Sequence, residues 1–189
     1  MTYSLFSGKI IGMDLSQLIG DGIGWLHVIF GVIALLFGTT ILIRRKGDQL
    51  HRKFGYVYTL AMLGLNITAL LIYRLFGSFG IFHWLALISL LTLIAGLLPV
   101  FLKKPKRYLG LHLNFMYWSV IGLYGALVAE TMVRIPDVVI ENDLPTQVFY
   151  RYSGLGAGLV MFVGIFFILL RQKKWDRIAK AHEKSASAR

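Results

Sequence analysis

The sequence predicts an all-α fold, a polytopic bundle of five transmembrane helices in which the first four form an up-down core and the fifth is added to it. Composition is the first sign. The 189 residues are 57% hydrophobic and only 15% charged, with mean hydropathy +0.68, which lies outside the usual range of soluble domains. The second sign is how the apolar residues are distributed. They fall into five runs, Ile23–Ile43, Phe54–Tyr73, Ile81–Leu102, Gly110–Val133 and Tyr152–Leu170, each long enough to cross a hydrocarbon core of about 30 Å at roughly 1.5 Å per residue. The third sign is charge. Sixteen of the 20 Lys and Arg lie in 44–53, 103–109 and 171–189, and the other four are Lys9, Arg74, Arg134 and Arg151. That bias predicts an N-terminus outside and a C-terminus inside.

The chain then divides into an external N-terminal segment (1–22), a five-helix transmembrane domain (23–170) and a basic cytoplasmic tail (171–189). A net charge of +11 suits nucleic acid in principle. Here, however, the cations sit in short loops that face the anionic leaflet, where they anchor the protein to the lipid bilayer, and no nucleic-acid partner is expected. The absence of cysteine excludes disulfides, thiolate metal sites and iron–sulfur clusters. Residues 1–22 lack a charged start leading into an apolar core, so they do not read as a cleaved signal peptide. They read instead as a partly helical segment on the membrane surface.

In the first run Gly24, His27, Gly31, Ala34 and Gly38 fall within about 80° of one another on a helix. This face carries one imidazole and almost no other side chains. It suits either a neighbouring helix or a flat cofactor with His27 as ligand. Arg44-Arg45-Lys46 ends the run and Gly47-Asp48 makes the turn. Helix 2 opens with His51-Arg52 and places His51, Gly55, Tyr58, Met62, Ala69 and Tyr73 on one face, with Asn66 at its border. Asn66 is expected to hydrogen-bond to a neighbouring helix or a buried water.

Helix 3 opens with His83-Trp84, has a second face of Ser89, Thr92 and Gly96, and contains Pro99 near its inner end, where a kink or a break in regular bonding is expected. On helix 4, His112, Met116, Ser119, Ala126, Glu130 and Arg134 share a face. Glu130 is the only acidic residue within the five apolar runs, and an intramembrane carboxylate is costly enough to mark a functional candidate. Arg134, four residues on, offers it a partner instead. Loop 135–147 reads as external. Gly154 and Gly158 on helix 5 have helix-packing spacing, and the tail reads as a frayed helix.

Four of the five histidines open the first four helices. Alternating helix direction puts His27 and His83 near the outer face and His51 and His112 near the inner one. In an up-down bundle each pair spans a diagonal of roughly 14 Å. That is too wide for two imidazoles to share a small ion, but suited to an iron with a flat macrocycle between them. The two pairs would lie roughly 20 Å apart along the normal.

His27 with Gly31, His51-Arg52-x-x-Gly55-x-x-Tyr58, His112 and Glu130…Arg134-Ile-Pro resemble a bacterial family of small multi-pass membrane proteins, catalogued as a domain of unknown function and described as a predicted membrane protein. The resemblance covers about residues 24–136. It implies a bacterial inner (plasma) membrane protein and supplies no activity. The histidine layout alone is similar to that of the transmembrane di-haem b-type cytochromes.

Three readings follow. In the first, haem b is held by His27 and His83 outside and by His51 and His112 inside, with Gly31 beside the ring. Arg52 meets a propionate or a redox donor, Tyr58 hydrogen-bonds nearby, and Glu130 and Arg134 define an outer substrate or quinone site for electron transfer. In the second, His27, His83 and Glu130 hold zinc or another divalent metal for hydrolysis or metal handling. In the third, the protein is a non-catalytic assembly factor, a permease, or a subunit of a homo-oligomer or larger complex, and the same residues serve packing.

Overall fold

The computed structural model describes residues 9–10, 13–14, 20–73, 77–104, 107–139 and 146–187, with backbone alone at 9–10, 13–14, 134–139, 146–150, 174 and 182–187. Two short strands, β1 (Lys9–Ile10) and β2 (Met13–Asp14), pair antiparallel with Lys9 opposite Asp14 and Ile10 opposite Met13. The rest of the expected surface segment lies outside the described residues.

Five helices follow, α1 (Gly22–Ile43), α2 (Gln49–Leu71), α3 (Ile81–Leu102), α4 (Tyr108–Val139) and α5 (Thr146–Ser187). Each is long and apolar enough over its spanning part to cross a membrane. The five expected spans are therefore present, and their ends differ from the apolar runs; α4 continues to Val139 and α5 starts at Thr146, so 135–139 and 146–147 of the expected external loop are helix. Helix α2 begins five residues earlier than its apolar run because Asp48 caps it, its carboxylate accepting from the His51 N–H at 2.6 Å. Helix α5 runs without a break into the basic tail, which is continuous helix to Ser187.

The turns obey their sequence signals. Asp21 caps α1 by accepting from the Gly24 N–H at 3.0 Å, and Gly47 takes the left-handed conformation at φ 88°. At the end of α1 the Lys46 ammonium donates to the carbonyls of Ile41 and Leu42, which the helix leaves unpaired. Helix α3 continues through Pro99 for one more turn and ends at Lys103, whose left-handed φ of 53° is uncommon for a residue with a side chain.

Helices α1 to α4 pack in sequence and the ring closes between α1 and α4, while α5 lies against α4. This is the expected four-helix core with one helix added. Its centre is Ala34 and Ile41 of α1, Tyr58, Ala61 and Met62 of α2, Leu93 of α3, and Met116, Val120 and Leu123 of α4. The outward faces remain apolar, as lipid contact requires.

The small-residue face of α1 receives side chains from α2. A methyl at Gly38 would lie 2.8 Å from the Tyr58 ring, and one at Gly31 would lie 3.5 Å from Leu65. The stripe thus meets side chains of α2, and Gly31 lies beside Leu65. Reciprocally, Phe30 of α1 sits over Gly64 of α2.

Candidate functional site: a cationic cavity with a histidine pair

The end of the bundle that carries the basic loops encloses a cavity of about 610 Å³. All five helices contribute. Ile41 and Leu42 close it from α1, Leu97, Val100 and Phe101 from α3, Leu109, Leu113, Met116 and Val120 from α4, and Trp175 and Ile178 from the extension of α5. The polar lining comes from Lys46, His51, Arg52, Tyr58, Thr59, Lys103, Tyr108 and His112. Among the described residues no lining side chain is acidic, so the cavity combines an apolar body with three cations, Lys46, Arg52 and Lys103.

The helix starts position the two imidazoles. His51 occupies the first turn of α2, where Asp48 holds its backbone N–H. His112 lies one turn into α4, and its Nδ1 is 2.8 Å from the carbonyl oxygen of Gly96 on α3. A carbonyl only accepts, so Nδ1 carries the proton and Nε2 keeps the lone pair; the hydrogen-bond network assigns the tautomer. Gly96 allows this approach, because a methyl there would fall 2.9 Å from the Met116 sulfur. The His51 and His112 ring centroids are 6.5 Å apart with perpendicular planes. Nδ1 of His51 is enclosed and has no hydrogen-bond partner. The expected inner pair is therefore assembled across the diagonal between α2 and α4.

Arg52 and Lys103 are exposed at the cavity rim and Lys46 is partly covered. Burial, followed by repulsion from Arg171, pulls the Lys46 ammonium from its ordinary 10.5 down to about 8. Asp48 lies below the usual carboxylate range, first because the His51 N–H stabilises its charge; it also pairs with Arg44 at 3.2 Å. Tyr58 has no exposed surface, and its hydroxyl meets the Ser119 hydroxyl at 2.8 Å.

The outer histidines are engaged differently. The Thr68 hydroxyl gives its single proton to the carbonyls of Gly64 and Leu65 at 2.8 and 2.9 Å. Its oxygen accordingly accepts from His27 Nδ1–H at 3.0 Å. His27 Nε2 faces the Glu130 carboxylate at 3.6 Å, a pairing that attracts only with a proton on one of the two groups. His83 folds back onto its own helix start, Nδ1 accepting from the Gly80 N–H at 3.0 Å, and its ring stacks with Tyr73 and Phe79. Local capping thus holds His83, while α2 and α4 hold His27.

Two of the three residues expected to hold a metal, His27 and Glu130, come together. Among the described residues no group of three or more His, Asp or Glu side chains is placed to bind a metal ion. Arg134 has no described side chain, so the Glu130–Arg134 pairing lies outside the described residues. Asn66 is buried and its amide donates to the Met62 carbonyl of its own helix at 2.8 Å, where a neighbouring helix or a water was expected. Sequence reasoning missed Lys46, Lys103 and the α5 residues Trp175 and Ile178. The signal for Lys46 and Lys103 was available: each follows an apolar run at the basic end.

Residues 24–163 match the model of the family described as "Predicted membrane protein (DUF2306)". The chain belongs to that family. The match takes in α1 from Gly24 onward, all of α2 to α4 and the first part of α5, and so extends beyond the resemblance carried by the sequence motifs. It includes the whole histidine pair and every cavity residue except those on the α5 extension. No curated protein and no solved structure matches the chain.

Proposed function

We propose that this integral membrane protein holds one b-type haem between His51 and His112 at its basic end and serves as an electron-transfer protein. The histidine pair carries the reading. Metal–imidazole bonds of about 2.0 Å on either side of an iron put ring centroids roughly 6.3 Å apart, and the observed separation is 6.5 Å. His112 has the arrangement of a ligand histidine, with Nδ1–H fixed on a backbone carbonyl and Nε2 available. The enclosed, unpartnered nitrogen of His51 supports a missing partner at that point.

The group would supply one-electron chemistry, and the protein's residues would do the rest. His51 and His112 ligate, the apolar walls from α3 and α4 exclude water, and Trp175 and Ile178 cover one side. The outer site is left out of this reading, because His27 and His83 are committed to Thr68, Glu130 and Gly80. The charge bias supports a basic end that faces the cytoplasm, and we place the protein in a bacterial plasma membrane.

The test is an absorption spectrum of protein purified from haem-replete cells. A six-coordinate Soret band is expected, abolished in His112→Ala and in His51→Ala and retained in His27→Ala and His83→Ala. A colourless wild-type protein that also fails to take up added hemin overturns the reading. A band lost in His27→Ala would move the haem to the other end.

A further inference from the structure

We propose that Arg52 and Lys103, assisted by Lys46, form a receptor for two carboxylates at the mouth of the basic-end cavity, so that its occupant is a flat dicarboxylate with an apolar body. The inference rests on the haem reading for the identity of the flat group and goes beyond it in naming what selects that group.

Charge is the first ground. Three cations line the cavity with no acidic residue among them. Cations on a cytoplasmic loop serve lipid contact anywhere along the surface, whereas these three border one enclosed volume whose remaining lining is mostly apolar. The arrangement matches a ligand with an apolar body and an anionic edge. Two cations of different chemistry are available to it, a planar guanidinium that pairs with a carboxylate in two-pronged fashion and a compact ammonium.

Backbone conformation is the second, independent ground. Lys103 sits at φ 53° at the C-terminal cap of α3. That position favours glycine, which takes the left-handed conformation without steric cost. The sequence instead keeps a lysine there, and that lysine lines the cavity. Strain retained in this way points from the outlier to a function for the side chain. Lys46 is held in place by the carbonyls of Ile41 and Leu42, which occupy two of its three N–H donors and leave one.

The experiment uses the full-length protein in detergent and three probes: hemin, hemin dimethyl ester and iron-free protoporphyrin IX. Binding is read from quenching of tryptophan fluorescence, to which Trp175 in the cavity wall reports. In Arg52→Gln and in Lys103→Gly, affinity for hemin and for protoporphyrin is expected to fall about tenfold or more, the usual effect of losing a charge-assisted hydrogen bond. Affinity for the dimethyl ester should stay within about twofold of wild type. Lys103→Gly keeps the fold, since glycine suits the backbone there, so a loss in that variant is a loss of the ammonium. Equal losses for acid and ester, or none for either, overturn the receptor. If hemin gives a histidine-ligated spectrum without acid–ester discrimination, the receptor fails and the haem reading stands. If protoporphyrin discriminates and hemin shows no histidine ligation, the haem reading fails and the receptor stands.

Discussion

Replacing Gly38 with alanine should destabilise the protein, although alanine is the better helix former. The added methyl would lie 2.8 Å from the Tyr58 ring and 3.2 Å from Val120. An ordinary carbon contact needs about 3.5 Å, so the ring would have to retreat by about 0.7 Å. It has little freedom to do so, since Tyr58 is fully buried and its hydroxyl is tied to Ser119. Overpacking of this kind costs about 1–3 kcal/mol, against a gain of about 0.5–1 kcal/mol from helix preference. The net expectation is a loss of up to about 2.5 kcal/mol. Gly122, where a methyl would meet nothing within 4 Å, provides the control, and alanine there should stabilise by about 0.5–1 kcal/mol. Reversible unfolding of detergent-solubilised protein by SDS, followed by tryptophan fluorescence, measures both. In a double-mutant cycle with Tyr58→Leu, the Gly38 penalty should shrink by about 1 kcal/mol. If Gly38→Ala stabilises as Gly122→Ala does, Tyr58 is not wedged against α1 and the packing of this core is misplaced.

Three further outcomes are expected. Glu130→Ala should cost about 1–3 kcal/mol in the same unfolding assay, because it leaves buried His27 Nε2 facing nothing, and Glu130→Gln should recover most of that by supplying an N–H donor. Gly164→Leu should loosen α5 from α4, where a methyl already falls 2.6 Å from Ile121 and Tyr117 donates to the Gly164 carbonyl; limited proteolysis of the basic extension reads the change. Lys46 adds a pH dependence. Its folded value of about 8 lies below the ordinary 10.5, so between those values the unfolded chain holds a proton that the folded one lacks. Its contribution to stability is complete above 10.5 and is lost as pH falls through about 8. Lys46→Met should flatten the unfolding curve over that window, in which Arg171 is the neighbouring charge and His51 and His112 are neutral.

Period and length made the five spans legible, because lipid demands long apolar helices and leaves few alternatives. The caps were legible only in part. Gly47-Asp48 announced its turn and His51-Arg52 the opening of α2, but not which oxygen Asp48 offers to which N–H. The α1 stripe shows where a one-helix projection stops being informative. Glycines on a face say that something approaches closely, and only the facing helix says that it is Tyr58. At Asn66 a bond to a neighbouring helix or a buried water was expected, and the protein bond its amide N–H makes runs to the Met62 carbonyl of its own helix.

The four histidines were equivalent in sequence, each near the start of a helix, and the structure separates them by what their second nitrogen meets. A neutral imidazole carries one lone pair, and a hydrogen bond at its other nitrogen fixes which nitrogen holds it. His112 has such a bond to the Gly96 carbonyl, and its ring lines the basic-end cavity. His83 spends its lone-pair nitrogen on the Gly80 N–H. His27 is fixed in the same way as His112, through Thr68, yet its lone pair is turned toward a carboxyl group, which can give it a proton. The same side chain therefore lines a cavity at one end of the bundle and faces a carboxylate at the other. Thr68→Val tests that division. It removes the acceptor that fixes the His27 tautomer while preserving side-chain shape, so it should disturb the His27–Glu130 pair, seen as a change in the carboxyl infrared bands, and leave any Soret band of the basic end unaltered. A spectrum at the basic end that responds to Thr68 would mean that the two polar sites are not independent.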